Sequence, residues 1–420
     1  MHKCGHQPAT RRQEVEESLC TYILYVLPKS PLLPIFLIVL VDVLGMAIIL
    51  PLLPFYSERM GASALVVGLL VSSYAACQLI AGPILGRISD RVGRKPVLMV
   101  SQLGTLIGFL ILANAQVLWV VFLSRVIDGL TAGNLSIAQA YISDVSKPEE
   151  RSKSFAVIGI AFGVGFLIGP AISGFLSTFS YSAPVYAAAG LSFSSILCTW
   201  FLLPAKTPGV QTSAERTGLF NFAGYAEYFR RPVLRVYLMQ FFLFAFSFST
   251  YVSGFALFAQ RRFGFGPREV GYLFAWVGFL GIILQGGLIG RLVKRYGERR
   301  LVFTGFLGAA IGYAAVGLTY NWHWLYVVSV IASYGMGVLR PSVTSLVTQN
   351  AGREEQGVVL GLTQSLTSIS AIIAPVLAGL LIDRQFLVAW AMVAAGTCVV
   401  GMVVSWPGGG EVESAAEEGC

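Results

Sequence analysis

The sequence predicts an all-α membrane protein in which twelve transmembrane helices form two six-helix pseudo-symmetric bundles. The first reason is composition: 55% of the 420 residues are hydrophobic, 12% are charged, and the mean hydropathy is +0.73. Soluble domains average about 25% charged residues. The second reason is that the apolar residues fall into runs of about 20, the length of a spanning helix. The third is a short basic loop that occurs twice.

Twelve apolar runs follow one another along the chain, and an even number of spans puts both termini on one side of the membrane. The runs lie at roughly 33–56, 64–88, 95–114, 117–141, 153–176, 183–204, 235–260, 268–290, 300–320, 323–346, 356–382 and 387–406.

The first basic loop, Gly86–Pro96, separates the second and third runs. Four basic residues in so short a gap are costly inside hydrocarbon, so the loop predicts a tight polar turn between two spanning helices. Gly93 permits a tight backbone turn, and Pro96 suits the first turn of the next helix. Because Lys and Arg are difficult to translocate, we expect this loop on the cytoplasmic side.

The basic loop returns at 290–300: Gly86 and Gly290 are 204 residues apart, as are Gly93 and Gly297. Landmarks that recur at nearly one offset indicate a duplication. Each half begins on the same side, so we expect parallel repeats related by an axis along the membrane normal, with the functional site where the halves meet. Further matches occur at an offset of 205: Pro170 with Pro375, and Gly174 with Gly379.

The positive charges are distributed unevenly, with 22 of the 29 Lys and Arg residues in the tail and loops assigned to the cytoplasm. This asymmetry is typical of membrane topology and argues against a nucleic-acid partner. We expect both termini in the cytoplasm and the chain in a cell membrane, either plasma or bacterial inner. The predicted division is an N-terminal tail (1–32), an N-terminal six-helix bundle (33–204), a central loop (205–234), a C-terminal six-helix bundle (235–406) and a C-terminal tail (407–420).

Three ionisable residues interrupt the apolar runs of the first half. Asp42 lies in the first run, where an unpaired carboxylate is expensive, so it should face the interior or be protonated. It is either a proton-carrying or cation-binding carboxyl or a structural hydrogen-bonded group. Arg125 and Asp128 lie three residues apart in the fourth run, on one helix face and within pairing distance. They are either a titratable pair, in which protonation of Asp128 frees Arg125, or a static ion pair.

Other polar residues within the runs either line a cavity or join helices. Arg340, which precedes Pro341, is a candidate to bind an anionic group or to pair across the bundle. The fifth run is rich in small residues, which permit close helix packing and are compatible with a hinge. The candidates for cavity lining are Gln78, Asn134, Gln139, Gln240, Gln285, Arg340 and Gln364, and the small-residue pattern of the fifth run is Gly165, Gly169, Pro170 and Gly174.

The chain has no pattern typical of an enzyme, a cofactor site or a metal site: GxSxG, GxxxxGK[ST] and HExxH are absent from the sequence. The central loop of about 30 residues is too short to hold an ATPase domain. Uphill transport would therefore draw on an ion gradient.

Together these features resemble the major facilitator superfamily over residues 33–406. The resemblance implies that the first basic loop gates the two halves, with Asp90 holding the outward-facing state through contacts to the opposite half. In the second copy Lys294 stands in place of the acid, which implies a weaker lock. The first loop fits the family signature G-x-x-x-D-R-x-G-R-[KR] at Gly86, Asp90, Arg91, Gly93, Arg94 and Lys95, and the second copy keeps Gly290, Gly297 and Arg299.

Within that superfamily the chain is most similar to tetracycline/proton antiporters, and the pattern of the fifth run looks like the motif typical of antiporters. Arg125 matches the fourth-helix arginine that those transporters need. Their acidic residues of the third and ninth helices align with Gly108 and Ala309 of this chain, whereas Asp128 is acidic where they have a small residue. The resemblance therefore implies that proton coupling has moved to Asp42 and Asp128.

These observations predict a secondary transporter that exports a small hydrophobic or amphipathic compound, such as a drug, in exchange for protons or another coupling cation. Its expected surroundings are the lipid bilayer, and we expect a monomer. One alternative is proton-coupled uptake of a metabolite, a sugar or an organic anion, with Arg340 or Arg125 as anion ligand. Another is a non-transporting membrane receptor.

Overall fold

The computed structural model describes residues 32–146, 151–204, 227–352 and 355–405. Within these ranges it contains 11 helices that are long and apolar enough to cross a membrane, so the predicted all-α membrane fold is confirmed. Both tails and most of the central loop fall outside the described residues. The helices of the first half are Leu32–Glu58, Ala64–Val92, Arg94–Ala113, Leu118–Leu130, Asn134–Val145, Arg151–Leu176 and Ala183–Leu202.

The second half repeats this pattern. Its first helix begins at Pro232, three residues before the predicted start, because proline fits the first turn of a helix. It ends at Phe263 and is capped by Gly264, whose φ of +70° favours glycine. The helices are Pro232–Phe263, Pro267–Ile283, Ile289–Tyr296, Glu298–Leu318, Trp322–Gln349, Gln356–Asp383 and Leu387–Val404.

Two of the twelve predicted spans consist of two helices each. The fourth span joins Leu118–Leu130 to Asn134–Val145 through residues 131–133. The eighth span joins Pro267–Ile283 to Ile289–Tyr296 through the π-helical turn Leu284–Leu288. The 11 candidate spans do not include the eighth, because its first helix has only 17 residues. A π-helical turn carries an extra residue and is frequent at functional sites.

The two halves meet along two helix pairs, the second span against the eleventh and the fifth span against the eighth. Small residues permit this close approach. A Cβ placed on Gly271 would lie 2.6 Å from the carbonyl oxygen of Pro170, and a Cβ on Gly68 would collide with the carbonyl oxygen of Pro375. Pro170 and Pro375 are the landmarks that recur at an offset of 205, so the duplication is visible in the interface itself.

Both basic loops form tight turns at one end of the bundle, which we call the basic face. Gly93 and Gly297 have φ values of +108° and +76°, which L side chains rarely adopt, and each glycine separates two consecutive helices. The predicted turns are therefore confirmed. The opposite face carries the alternate connections, including residues 59–63 and 384–386.

Candidate transport site and gates

A polar network inside the N-terminal half is centred on Asp42. Its Oδ1 accepts a hydrogen bond from Ser195 Oγ at 3.1 Å, and Ser195 Oγ in turn accepts one from Gln102 Nε2 at 2.7 Å. The side chains of Asn134 and Asp128 also lie near the Asp42 carboxyl. The network therefore joins the first, third and sixth spans around a carboxyl that faces the fourth.

Arg125 and Asp128 form the ion pair that their spacing predicts, with 3.2 Å between Nη1 and Oδ2. Both side chains are only 7% exposed, and the guanidinium lies 5.8 Å from the centre of the Phe109 ring. A Cβ on Gly108 would lie 3.0 Å from Cβ of Asp128. The carboxyl of Asp128 thus comes from the fourth span but lies beside Gly108, the third-span position that the resemblance aligns with an acidic residue.

The atoms around these side chains are incompletely hydrogen-bonded. Of the nine buried side-chain atoms in the described residues that have no hydrogen-bond partner, four belong to this region: Asp42 Oδ2, Gln102 Oε1, Arg125 Nη2 and Asn134 Oδ1. Each buried unsatisfied group costs about 1–3 kcal/mol, so such a concentration does not serve stability. It leaves the region able to accept protons or water.

Arg261 joins the two halves near the opposite face. Its Nη2 lies 3.7 Å from Glu58 Oε1, at the end of the first span, and 3.8 Å from Asp383 Oδ1, at the end of the eleventh. Asp383 Oδ1 also accepts a hydrogen bond from the backbone nitrogen of Ala64 at 3.0 Å. Deeper in the bundle, Ser72 Oγ donates to the carbonyl oxygen of Ile372 at 2.6 Å. These contacts seal the interface between the halves on that side.

Apolar packing reinforces this seal. Phe55, Ala62 and Val67 of the first half share a buried cluster with Phe258 and Trp390 of the second. This seal is not predicted by the sequence analysis, because its three charged residues lie far apart in the chain. A usable signal was present: Glu58, Arg261 and Asp383 are charges of opposite sign at helix ends that the topology puts on one face.

In the first basic loop, Arg94 forms two ion pairs within its own half. Arg94 is only 4% exposed and contacts Asp90 Oδ1 at 2.5 Å and Asp144 Oδ2 at 2.8 Å. Lys95 Nζ donates to the carbonyl oxygens of Trp200 and Leu203, both at 2.7 Å. The loop is thereby tied to the fourth and sixth spans, and one ion pair of Asp90 is with Arg94 of the same loop.

The second basic loop has a different arrangement. Glu298, which follows Gly297, accepts hydrogen bonds from Ser345 Oγ at 3.3 Å and from Gln349 Nε2 at 3.1 Å. These contacts join the ninth span to the tenth. Arg299 and Gly290 lie in the adjoining helices, on either side of the turn.

The small residues of the fifth span pack on two sides. A Cβ on Gly165 would lie 2.6 Å from Val43 Cγ1, and one on Gly169 would lie 2.6 Å from Ala47 Cβ, both in the first span. On the other side, a Cβ on Gly174 would lie 3.0 Å from the carbonyl oxygen of Arg268 in the eighth span. The fifth span is therefore held between the first span of its own half and the eighth span of the other.

The predicted cavity-lining residues divide into two groups. Gln240 is buried and donates to the carbonyl oxygen of Val404 at 3.4 Å, so it joins the seventh and twelfth spans and fits the helix-joining interpretation. Gln78 Nε2 donates to Tyr74 Oη at 3.3 Å, a contact within the second span. Gln78 is half-buried, as are Asn134 and Gln139 in the second helix of the fourth span, whereas Gln285 and Gln364 are exposed.

Arg340 of the tenth span reaches the other half. Its guanidinium lies 5.6 Å from the centre of the Phe162 ring in the fifth span. The residue is exposed although it lies in the interior of the helix Trp322–Gln349. The guanidinium is therefore accessible at a position where the tenth span faces the fifth span of the other half.

Comparisons with known proteins agree with this architecture. The sequence profile of the Major Facilitator Superfamily matches residues 35–375 and 286–415. The class E tetracycline resistance protein of Escherichia coli is 30% identical over 375 residues, which are 87% of this chain and 92% of that protein. Multidrug resistance protein 2 of Bacillus subtilis is 28% identical over 358 residues, 83% of this chain and 89% of that protein. Among solved structures, that of a human organic anion transporter superimposes with a TM-score of 0.72 at 23% identity, covering 89% of this chain and 98% of the other.

Proposed function

Because the chain belongs to the Major Facilitator Superfamily, we propose that this integral membrane transporter exports a small hydrophobic or amphipathic compound, such as a drug, in exchange for protons. Two relatives with similarity over most of their length are named for resistance to tetracycline and to multiple drugs. We place the basic face and both termini in the cytoplasm, because Lys and Arg concentrate there.

The observation that carries the proposal is the pair of intramembrane carboxyls in the N-terminal half. Asp42 contacts Ser195 on one side and faces Asn134 and Asp128 on the other, while Asp128 pairs with Arg125. Ionisable groups inside a membrane bundle are expensive to keep and mark proton or substrate paths. Protonation of Asp128 would remove its ion pair and leave the guanidinium of Arg125 to find another partner, which couples the proton to the fourth span.

The contacts at the two faces of the bundle support alternating access. The seal formed by Glu58, Arg261 and Asp383 closes the opposite face, while Arg94 holds Asp90 and Asp144 within one half at the basic face. This arrangement fits a conformation that is open toward the cytoplasm. In the reverse conformation the contacts of Arg261 would separate, and the first basic loop would meet the C-terminal half. The fifth span, which packs tightly on the first and eighth spans, is the element across which the halves would rock.

The test is proton-driven transport by purified protein in proteoliposomes. In Asp42→Asn and Asp128→Asn variants we expect uphill flux to fall to the level of empty liposomes, because amides cannot carry the proton. Glu269→Gln is a matched control, since Glu269 lies at the opposite face and caps the turn at Gly266. Unchanged uphill flux in both aspartate variants, with the fold intact, would exclude these carboxyls from coupling.

A second candidate function, proton-coupled uptake of an organic anion, is favoured by one observation: the guanidinium of Arg340 is exposed where the tenth span faces the fifth span of the other half. Flux in inverted and right-side-out vesicles distinguishes the two directions. Export requires proton-driven accumulation in inverted vesicles, and uptake requires it in right-side-out vesicles.

A further inference from the structure

Arg340 is a positive charge at an inner position of the tenth span that the coupling mechanism does not use. No carboxylate of the described residues forms an ion pair with it, and its contact within this part of the chain is the ring of Phe162. The intramembrane carboxyls of Asp42 and Asp128 lie in the N-terminal half, where Ser195 and Arg125 contact them. The guanidinium is therefore an anion-binding group whose partner the described residues do not supply.

The surroundings of Arg340 supply an apolar, aromatic wall. The Phe162 ring stacks on Phe166 with 6.2 Å between the ring centres, so two rings extend from the guanidinium along the fifth span. Aromatic rings favour offset stacking with other rings and bind cations on their faces. A flat ligand that carries an anionic group would stack on the rings and pair with the guanidinium at the same time.

The eighth span is irregular beside this position. Its π-helical turn begins at Leu284, and a Cβ on Gly337, one helix turn before Arg340, would collide with the Leu284 side chain. Gln285 within the turn is exposed. Because π-helical turns redirect side chains and are frequent at functional sites, this irregularity is a second, independent sign of a ligand site. The tenth span thus contacts the eighth span at Gly337 and the fifth span at Arg340, one turn further on.

We propose that Arg340 and Phe162 form the anion-binding part of the transport cavity, and that the transported compounds are amphipathic aromatic anions, such as carboxylates or sulfonates. This inference rests on the proposed function for the role of the cavity. It also supplies a reason for keeping the arginine: when the cavity closes and water leaves, an anionic substrate provides the counter-charge that an isolated guanidinium would lack.

Two dyes with the same xanthene body and opposite charge test the substrate class. Fluorescein is anionic at pH 7.5 and rhodamine 6G is cationic, and fluorescence anisotropy with purified protein in detergent gives both dissociation constants. We expect the unmodified protein to bind fluorescein at least about tenfold more tightly. Arg340→Gln should weaken fluorescein binding about tenfold or more, since a charge-assisted contact is lost, without weakening rhodamine binding.

Further variants distinguish the contribution of the positive charge from those of the planar guanidinium and of ring stacking. Arg340→Lys should retain part of the fluorescein affinity, because the charge remains but the planar fork is lost. Phe162→Leu should weaken both dyes, because stacking does not depend on their charge. Arg384→Gln, which removes an exposed positive charge at the opposite face, should change neither dissociation constant.

Two results would overturn the inference: equal or tighter binding of rhodamine by the unmodified protein, or fluorescein affinity that Arg340→Gln leaves intact. The assay is at equilibrium and needs no gradient. Failure of the anion site would therefore leave proton coupling unaffected, and failure of proton coupling in proteoliposomes would leave the binding result unaffected.

Discussion

The interiors of the two halves differ although the chain is a duplication. The N-terminal half encloses three ionisable side chains, Asp42, Arg125 and Asp128, and a network of amides and hydroxyls around them. At the offset of 204 that relates the basic loops, the corresponding positions of the C-terminal half are Phe246, Ser329 and Ala332.

The C-terminal half is instead filled with stacked rings. Tyr251 lies 4.2 Å from Tyr313 and 5.6 Å from Trp390, measured between ring centres. The indole nitrogen of Trp390 donates to the carbonyl oxygen of Thr250 at 2.8 Å. These side chains do not titrate near neutral pH. Under the proposed function, the first half carries the proton-binding groups, and the second half provides an aromatic frame together with Arg340.

Where the halves meet, by contrast, they have remained alike. Pro170 lies against Gly271, and Pro375 lies against Gly68, in two helix pairs related by the duplication. Under the proposed rocking motion, the surfaces that move against each other need smooth, close-packed backbones on both sides. The interior of each half has no such shared constraint.

The largest expected effect comes from breaking the buried pair of the N-terminal half. Asp128→Ala leaves Arg125 buried without its partner, and removing one member of a buried pair typically costs about 3–5 kcal/mol. The free energy of unfolding in an SDS titration measures this loss. The corresponding residue of the C-terminal half is Ala332, which is uncharged and forms no ion pair.

The double variant Arg125→Met with Asp128→Leu distinguishes replacement of the whole ion pair from removal of one partner. Replacing a whole buried pair by apolar residues of similar volume is often neutral, so we expect stability near that of the unmodified protein. Transport should nevertheless be lost. A double variant that is as unstable as Asp128→Ala would show that the pair is a structural element of the half and would contradict the proposed division of labour.

Local sequence signals predicted much of this architecture. The apolar runs and the basic gaps between them predicted the spans, and the glycines predicted the turns at Gly93 and Gly297. These features depend on neighbouring residues alone. The pairing of Arg125 with Asp128 was predictable for the same reason, since helix geometry places residues three apart on one face.

Contacts between distant segments were not predictable. Asp42 meets Ser195 across 153 residues, and Arg261 reaches both Glu58 and Asp383. Helix packing creates these contacts, and a single sequence does not carry the packing geometry. The π-helical turn of the eighth span was missed because the apolar run continues through it without a proline or a charge.

A smaller effect is expected at the interface, where the halves are alike. Gly271→Ala and Gly68→Ala each place a methyl group against a proline carbonyl of the other half, and such overpacking typically costs about 1–3 kcal/mol. The same SDS titration measures both, and similar values are expected because the two contacts are related by the duplication. Gly281→Ala, in the same span as Gly271, meets nothing within 4 Å and serves as the control. A large loss in one variant with none in the other would break the proposed equivalence of the two contacts.

The smallest expected effect lies at the rim of the C-terminal half, which keeps an ion pair outside its spans. Arg231 donates from Nη1 and Nη2 to the two carboxylate oxygens of Glu355, both at 2.7 Å. These hydrogen bonds, with one from the backbone of Gly352, lower the pKa of Glu355 below that of an ordinary glutamate. Because the pair is largely solvated, it should contribute far less than the buried pair of Arg125 and Asp128.

The pH dependence of this pair has a definite sign. A depressed pKa in the folded state means that the Glu355 carboxylate adds stability above the pKa of an unfolded glutamate, about 4.3, and that this stability disappears as the pH falls through the lower folded value. We therefore expect Glu355→Gln to have a slightly lower melting temperature than the unmodified protein at pH 7 and the same one under strongly acidic conditions. Glu227→Gln is the matched control, because Glu227 approaches the same arginine only to 4.0 Å and is 71% exposed. A pH-independent difference between Glu355→Gln and the unmodified protein would assign the effect to packing, whereas a loss as large as that of Asp128→Ala would remove the contrast between a buried pair in one half and a solvated pair in the other.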